Sequence, residues 1–203
     1  MAKAERVFYH TITARICHFI ALVSMIFLIL TGFNIYAPTK FNLFGNLNNA
    51  RLVHFIFMYL ISFAFLFRFL HSIFITGDIK ELYFGPKQAF QLIGLIKYYA
   101  CGIFFGWEKP KYGKYNPGQR LLYGLLYPLG LVFMAWTGFV LYWPDKFVGS
   151  IQLVGGLQGI KLLHFIGCWI LTILTIGHAY FGTCGATPTD AYKSLITGYQ
   201  LKH

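Results

Sequence analysis

Four long apolar stretches constrain the fold of this 203-residue chain more than any other feature of its sequence. They lie at about residues 16–37, 52–74, 121–143 and 162–181. A helix needs about 20 mainly apolar residues to cross a hydrocarbon core ~30 Å thick. Charged residues make up only 11% of the chain, against roughly 25% in soluble domains. The sequence therefore predicts an all-α fold, a bundle of four transmembrane helices that forms one integral-membrane domain over residues 1–203.

Basic residues are distributed unevenly between the two ends of these helices. Thirteen belong to the N-terminal segment, the long second loop with its flanks, and the tail: Lys3, Arg6, Arg15, Arg68, Lys80, Lys87, Lys97, Lys109, Lys111, Lys114, Arg120, Lys193 and Lys202. The other four are Lys40, Arg51, Lys146 and Lys161. The positive-inside rule then predicts cytoplasmic N- and C-termini in a bacterial or archaeal cytoplasmic (inner) membrane. The first stretch is longer than a signal-peptide core and lacks an A-x-A site, so we expect it to be retained.

Histidines lie at two matched depths in these stretches. His164 and His178 are fourteen residues apart, and fourteen helical residues rise ~21 Å in just under four turns, so both rings share a face. Because successive spans run in opposite directions, His54 should meet His164 on the outer side and His18 should meet His178 on the inner side. A lone histidine at a helix end is usually interfacial, but ionisable groups inside a span are costly, and imidazole is a haem ligand. The four histidines therefore predict two b haems, each with its iron held by one pair.

A short internal repeat supports two equivalent helical hairpins. Arg51–Ile56 (RLVHFI) opens the second span and Lys161–Ile166 (KLLHFI) opens the fourth. Thr31–Phe33 (TGF), near the end of the first span, recurs as Thr137–Phe139 near the end of the third. The matches occur in the same order, which predicts parallel repeats related by an axis along the membrane normal.

Small and basic residues at the same depths complete the two predicted sites. Glycine lets a macrocycle pass close to a helix, although close helix packing explains small residues equally well. The candidates for haem clearance are Gly32, Gly124 and Gly138. Basic residues three positions before a ligand could bind haem propionates, although such residues at helix ends also simply reach toward the interface. These are Arg15, Arg51 and Lys161. His71 aligns with Phe181 in the repeat, so we predict an interfacial role for it.

The four cysteines carry no cofactor motif. There is no C-x-x-C-H sequence, which excludes covalent c-type haem attachment, and no iron–sulfur ligand spacing. Any iron–sulfur cluster that serves this chain should therefore belong to a partner. The net charge of +11 reflects the loop asymmetry and attraction to anionic lipid, with no nucleic-acid motif.

The long second loop contains two further features. About Pro86–Phe105 is apolar with scattered polar residues, which predicts an amphipathic helix in the cytoplasmic interface. The turn-rich segment Gly113–Arg120 (GKYNPGQR) then precedes the third span. It is either a loop with a helix start or a site where the Asn116 and Gln119 amides approach a lipid-borne redox molecule at the level of the inner haem.

Taken together, these motifs resemble the gamma, or cytochrome b, subunit of membrane-bound formate dehydrogenases. The resemblance extends from about Arg15 to Tyr199, and its motifs are Arg15-x-Cys-His18, Arg51-x-x-His54, Gly113-Lys-Tyr-Asn-x-Gly-Gln119, Leu162-Leu-His164 and His178-x-Tyr180. The tail Ser194–Tyr199 is similar to related b-type subunits of nickel–iron hydrogenases and thiosulfate reductases. We also expect a short interfacial helix at the C-terminal end. Pro117, at the variable position of the motif Gly113–Gln119, departs from the family's pattern, in which we expect a more flexible residue.

The resemblance implies a membrane anchor and electron-transfer subunit of a respiratory oxidoreductase, with no catalytic residues beyond a quinone site. It implies two haem b groups, exchangeable menaquinone, an iron–sulfur partner on the outer side and a catalytic subunit with molybdenum, tungsten or nickel–iron. Asn116 and the haem ligand His178 would contact the quinone, and we add Gln119 from its proximity. The alternatives are a stand-alone superoxide:quinone oxidoreductase of the cytochrome b561 type and a haem-free anchor.

Overall fold

The computed structural model describes residues 6–108, 110–183 and 187–201, so Lys3, Lys109 and Lys202 lie outside the described residues. Helices account for most of the described chain. The α-helices are α1 (Ile12–Tyr36), α2 (Leu47–His71), α3 (Pro86–Lys97), α4 (Pro117–Leu121), α5 (Tyr127–Tyr142), α6 (Val148–Leu153), α7 (Leu157–Gly182) and α8 (Asp190–Thr197). Two three-residue strands, β1 (Arg6–Phe8) and β2 (Tyr199–Leu201), form an antiparallel ribbon.

Four helical segments are long and apolar enough to cross a membrane, which confirms the predicted spans. They are Ile12–Tyr36, Leu47–Thr76, Pro117–Tyr142 and Leu157–Gly182. Most of their ends lie beyond the apolar runs because capping, not hydropathy, decides where a helix begins. The Thr11 side chain, for example, accepts a hydrogen bond from the Ala14 N–H at 3.2 Å and starts α1 four residues before the predicted span.

Contacts divide the chain into two compact units, one made of Met1–Arg68 with Met134–His203 and the other of Phe69–Phe133. In the first unit, aromatic side chains join the spans in pairs. Tyr36 of α1 stacks on Phe165 of α7 with ring centroids 4.5 Å apart. Phe55 of α2 meets Tyr142 of α5 at 4.3 Å. The prediction of a single domain stays a prediction.

The two ends of the described chain meet in the first unit, which the sequence analysis did not predict. Arg6 pairs with Leu201 across the ribbon. Gly198 ends α8 in the left-handed region, at a φ of 83°, and its carbonyl accepts a hydrogen bond from the Tyr9 N–H at 2.8 Å. A left-handed residue is tolerated best as glycine. The predicted short C-terminal helix is confirmed as α8, and the ribbon holds it beside the start of α1.

The second unit contains the predicted amphipathic helix. Its α-helical part, α3, ends at Lys97 rather than near Phe105, and a π-helical turn continues to Gly102. Phe90, Ile93 and Ile96 are exposed on α3, whereas Leu95 is buried. An apolar face of this kind fits a helix lying in a membrane interface.

Candidate haem-binding sites

The structure brings together both histidine pairs that the sequence predicted. His54 of α2 and His164 of α7 have ring centroids 6.3 Å apart with an interplanar angle of 63°. His18 of α1 and His178 of α7 have ring centroids 6.0 Å apart at 51°. We call these the outer pair and the inner pair, after the predicted orientation. All four side chains are partly buried.

Both separations fit one metal ion held between two imidazoles. Metal–imidazole bonds are about 2.0–2.1 Å long and a ring nitrogen lies about 1.1 Å from its ring centre, so two rings sharing a metal are about 6.3 Å apart. The described residues contain no group of three or more His, Cys, Asp or Glu side chains that could hold a metal ion. A pair of imidazoles supplies two ligands, which is a donor set that would hold the iron of a haem.

In the outer pair, each histidine is hydrogen-bonded to a buried threonine. Thr31 Oγ1 lies 2.8 Å from His54 Nδ1, and Thr137 Oγ1 lies 2.8 Å from His164 Nδ1. Both threonines have a relative exposure of 0%. Hydrogen bonds of this kind fix the orientation of a ligating imidazole and decide which nitrogen faces the metal. With Nδ1 engaged, Nε2 is the nitrogen left for iron.

These threonines are the site residues that the sequence analysis missed. The TGF repeat was visible, but it was used only as a sign of two equivalent hairpins. Its function could have been recognised, because a polar residue buried in an apolar span needs a partner and the histidines lay at the same depth. The structure therefore joins the two repeated motifs, since the threonine of each first span bonds the histidine of the following span.

Two of the three predicted clearance glycines lie beside the outer pair. A Cβ atom on Gly32 would come within 3.9 Å of His54 Cε1, and one on Gly138 within 3.5 Å of His164 Cε1. Gly124 has different surroundings within the second unit. A Cβ atom there would lie only 2.1 Å from the Leu82 carbonyl oxygen, so close backbone packing already requires this glycine.

The inner pair has other neighbours. His18 Nδ1 is buried without a hydrogen-bond partner in the described structure. Arg15, predicted to bind a propionate of the inner haem, donates from Nη1 to the Ile196 carbonyl of α8. Its Nε is buried and has no partner among the described residues. Arg15 therefore attaches α8 to the start of α1 and keeps one buried donor for another acceptor.

The other two predicted propionate partners, Arg51 and Lys161, are both exposed. Each lies one helical turn before the histidine of its own span, at the start of RLVHFI or KLLHFI. Residues 51–56 and 161–166 have the same pattern of burial. The repeat therefore extends to the two basic residues. Exposed, flexible cations in these positions are free to form charge-assisted hydrogen bonds with carboxylates.

Asn116 and Gln119, the predicted quinone-binding amides, form a capping box at the start of α4. Asn116 Oδ1 accepts from the Gln119 N–H at 2.9 Å, and Gln119 Oε1 accepts from the Asn116 N–H at 3.0 Å. This satisfies two backbone donors that the helix start would otherwise leave unbonded. The side-chain NH₂ groups remain as the donors that a ligand could use.

A polar cavity of about 250 Å³ lies next to this segment in the second unit. It is lined by Lys87, Gln88, Gln91, Lys111, Tyr112, Gly113, Tyr115 and Arg120. Burial, with the neighbouring Tyr99, raises the pKa of the Tyr112 phenol. The Tyr112 hydroxyl donates to the Gln91 carbonyl at 3.3 Å. Asn116 and Gln119 do not line this cavity.

Comparison with known proteins shows the family to which the chain belongs. Residues 9–198 match the family model described as prokaryotic cytochrome b561. The chain belongs to that family. It is 27% identical over 196 residues to a probable Ni/Fe-hydrogenase b-type cytochrome subunit of Azotobacter vinelandii, covering 88% of this chain and 80% of that protein. It is 31% identical over 151 residues to an F420 non-reducing hydrogenase II cytochrome subunit of Methanosarcina mazei, covering 67% and 55%.

A third relative, a probable Ni/Fe-hydrogenase b-type cytochrome subunit of Cupriavidus necator, is 26% identical over 187 residues, covering 82% of this chain and 74% of that protein. The expected resemblance to b-type cytochrome subunits is thus confirmed, and haem b is the cofactor that this prokaryotic cytochrome b561 implies. The residues present fit that group, because two partly buried imidazoles face each other at the distance of a shared iron. The function of this cytochrome is membrane electron transfer.

Proposed function

We propose that this cytochrome is the membrane anchor of a hydrogenase-type respiratory complex and carries electrons through two b haems. His54 and His164 would bind the outer haem, and His18 and His178 the inner one. The electrons would move between an outer iron–sulfur partner and menaquinone on the cytoplasmic side. The observation that carries the proposal is the presence of two separate pairs of facing imidazoles with metal-bridging distances. When bound, haem supplies one-electron redox chemistry, and the chain supplies ligation, spacing and tuning.

Several features of the chain support an anchor subunit over the alternatives. The relatives reported above are described as hydrogenase cytochrome subunits, which favours a nickel–iron partner over the molybdenum or tungsten partner of a formate dehydrogenase. Most of the described chain is membrane span or interfacial helix, which leaves little room for a separate catalytic centre. A stand-alone superoxide:quinone oxidoreductase of the cytochrome b561 type is the second candidate, since the family description includes that name.

Purification of the chain from its native membrane in mild detergent tests this proposal. We expect two haems per chain and co-purifying iron–sulfur and catalytic subunits, with haem reduction by hydrogen in the intact complex. A chain that purifies alone, holds two haems and reduces quinone with superoxide would support the second candidate. A chain with no b-type absorption band would contradict both.

The quinone site is proposed at the cytoplasmic end, with the side-chain amides of Asn116 and Gln119 as hydrogen-bond donors. An amide N–H donor stabilises a quinone oxygen that gains charge on reduction without adding a charge to the site. Protons would be exchanged with the cytoplasm while electrons enter or leave at the outer haem, so turnover would move charge across the membrane. The capping box in the structure makes the choice of variant important, because Asn116→Ala removes both the donor and the helix cap.

Asn116→Ser separates these two roles. Serine keeps a capping oxygen but lacks the amide donors, whereas alanine also loses about 0.5–2 kcal/mol of helix capping. We expect Asn116→Ser to slow electron exchange with menaquinone by about 10²-fold, as for a lost oxyanion donor. Haem content and reduction from the partner side should stay unchanged. If only Asn116→Ala slows the reaction, Asn116 has a structural role and the quinone binds elsewhere.

A further inference from the structure

We propose that Thr31 and Thr137 are positioning residues that set the tautomer of the two outer ligands and lower the reduction potential of the outer haem alone. The inference rests on the proposed function, because it takes His54 and His164 as ligands of one haem. It goes further by naming the groups that tune one haem relative to the other. A difference in reduction potential between the two haems decides which haem holds an electron at a given ambient potential.

Each threonine hydroxyl accepts a hydrogen bond from the histidine and donates its own proton elsewhere. A hydroxyl has one proton and two lone pairs. Thr31 Oγ1 lies 2.6 Å from the Phe27 carbonyl oxygen and Thr137 Oγ1 lies 3.2 Å from the Met134 carbonyl oxygen. A carbonyl oxygen only accepts, so each hydroxyl proton is directed to the backbone of the preceding turn. The remaining lone pair then accepts a proton from the histidine Nδ1.

These hydrogen bonds set the tautomer of the two outer histidines. An imidazole that donates from Nδ1 is neutral and keeps its lone pair on Nε2, and this lone pair can bind a metal. In the opposite tautomer the hydroxyl would donate to Nδ1, and Nε2 would carry a proton instead. The threonine and its backbone acceptor therefore select the metal-binding form of the ring before any metal arrives. They also hold the ring plane, because both threonines are fully buried on regular helices.

The same hydrogen bonds should lower the reduction potential of the outer haem. Donation from Nδ1–H to an acceptor makes the imidazole a stronger donor to iron. A stronger donor stabilises the more positive oxidation state and lowers the potential, and hydrogen bonding near the ligand is one of the ways a protein tunes haem. Each hydroxyl is itself a donor to a carbonyl, which strengthens it as an acceptor. Removal of the hydroxyls should therefore raise the potential of the outer haem.

The effect should be confined to the outer pair. His18 Nδ1, in the inner pair, is buried with no hydrogen-bond partner in the part of the chain that the structure describes. By the offset that relates Thr31 to Thr137, His18 corresponds to Gly124 in the third span. Thr31 and Thr137 each bond to an outer histidine, whereas His18 is matched by no second histidine in the repeat. The inner haem can serve as an internal reference in the same molecule.

The experiment compares the holo-complexes of wild type, Thr31→Val/Thr137→Val and Thr31→Ser/Thr137→Ser. Valine keeps the branched shape and removes the hydroxyl, and serine restores it. Each complex is titrated with redox mediators while the optical and electron paramagnetic resonance signals are recorded. The haem missing in the His54→Ala variant identifies the outer signal. Thr172→Val is the matched control, because Thr172 is a buried threonine of α7 that donates to the Cys168 carbonyl at 2.7 Å.

We expect the valine variant to raise the potential of the outer haem, change its resonance signal and release that haem about 10–100-fold more readily. The inner haem should keep its potential and signal. The serine variant and Thr172→Val should resemble the wild type. Selective loss of the outer haem in the valine variant, reversed by serine, would also support the inference.

Three results would overturn it. The outer potential and signal could stay unchanged in the valine variant, both haems could shift equally, or the serine variant could behave like valine. The wild type separates this failure from that of the proposed function. Fewer than two haems per wild-type chain would overturn the proposed function and this assignment with it. Two haems with an unaltered outer potential in the valine variant would overturn only the role of the threonines.

Discussion

The outer pair takes both of its histidines from equivalent positions of the repeat, whereas the inner pair does not. His54 and His164 each follow a basic residue by three positions and each contact a threonine at 2.8 Å. In the inner pair, His18 corresponds to Gly124 and His178 corresponds to Arg68. Each half of the repeat therefore supplies one histidine of the inner pair, the first half from its first span and the second half from its second span. The ring separations are nevertheless 6.3 Å and 6.0 Å.

This difference shows how one sequence repeat can serve two kinds of site. At the outer end, symmetry supplies matching ligands, threonines, glycines and basic residues. Near the inner pair, Arg15 of α1 bonds to α8, and the segment just before α1 bonds to Gly198 at the end of α8. The start of α1, three residues before His18, is therefore attached to a segment that lies outside the repeat.

The strongest test of the comparison removes the ligands one pair at a time. His54→Ala or His164→Ala should abolish the outer haem, and His18→Ala or His178→Ala the inner one, because one imidazole cannot fill both axial positions. Each variant should retain one haem per chain by quantitative haem extraction and absorption. His71→Ala is the control and should retain two. A His54→Ala variant with two haems would contradict the pairing.

The second test concerns the glycines that the sequence placed fourteen residues apart. Gly124→Ala would put a Cβ atom 2.1 Å from the Leu82 carbonyl oxygen, and overpacking of this kind costs about 1–3 kcal/mol or more. Gly138→Ala meets only ordinary contacts, at 3.5 Å from His164 Cε1 and 3.6 Å from Met58 Sδ. We therefore expect Gly124→Ala to lower the thermal unfolding temperature in detergent, and Gly138→Ala to lower the outer haem content.

The reverse outcome would change the interpretation of both glycines. A stable Gly124→Ala variant that lacks the inner haem would assign Gly124 to haem clearance, as the sequence analysis expected. An unaltered outer haem in Gly138→Ala would leave helix packing as the only role of Gly138. Gly149→Ala is a suitable control, because a Cβ atom on that glycine would meet no atom within 4 Å.

Hydropathy and histidine spacing predicted four spans and the proximity of both histidine pairs, because helix periodicity and bilayer thickness leave few alternatives. The ribbon of β1 and β2 was not predictable in this way. Its strands are three residues long and lie at opposite ends of the chain, so no local pattern connects them. The threonine partners were missed because a side-chain hydrogen bond between spans depends on rotation about each helix axis. A helix start in the segment Gly113–Arg120 was one of two predicted interpretations, but its capping box was not predicted, since the same amides suit a cap and a ligand.

The smallest expected effect distinguishes Arg15, which precedes His18 of the inner pair, from Arg51, which precedes His54 of the outer pair. Arg15→Gln should loosen α8, because the charged hydrogen bond to the Ile196 carbonyl is lost, and such bonds contribute about 1.5–3 kcal/mol. Partial exposure places the loss near the lower limit, so we expect a modest rise in the rate of proteolytic cleavage of the tail. Arg51→Gln should leave the tail unchanged, because Arg51 is exposed and precedes an outer ligand. Limited proteolysis of both variants measures the difference. Equal cleavage rates would mean that Arg15 does not hold the tail. The two basic residues would then have no difference in their effect on α8.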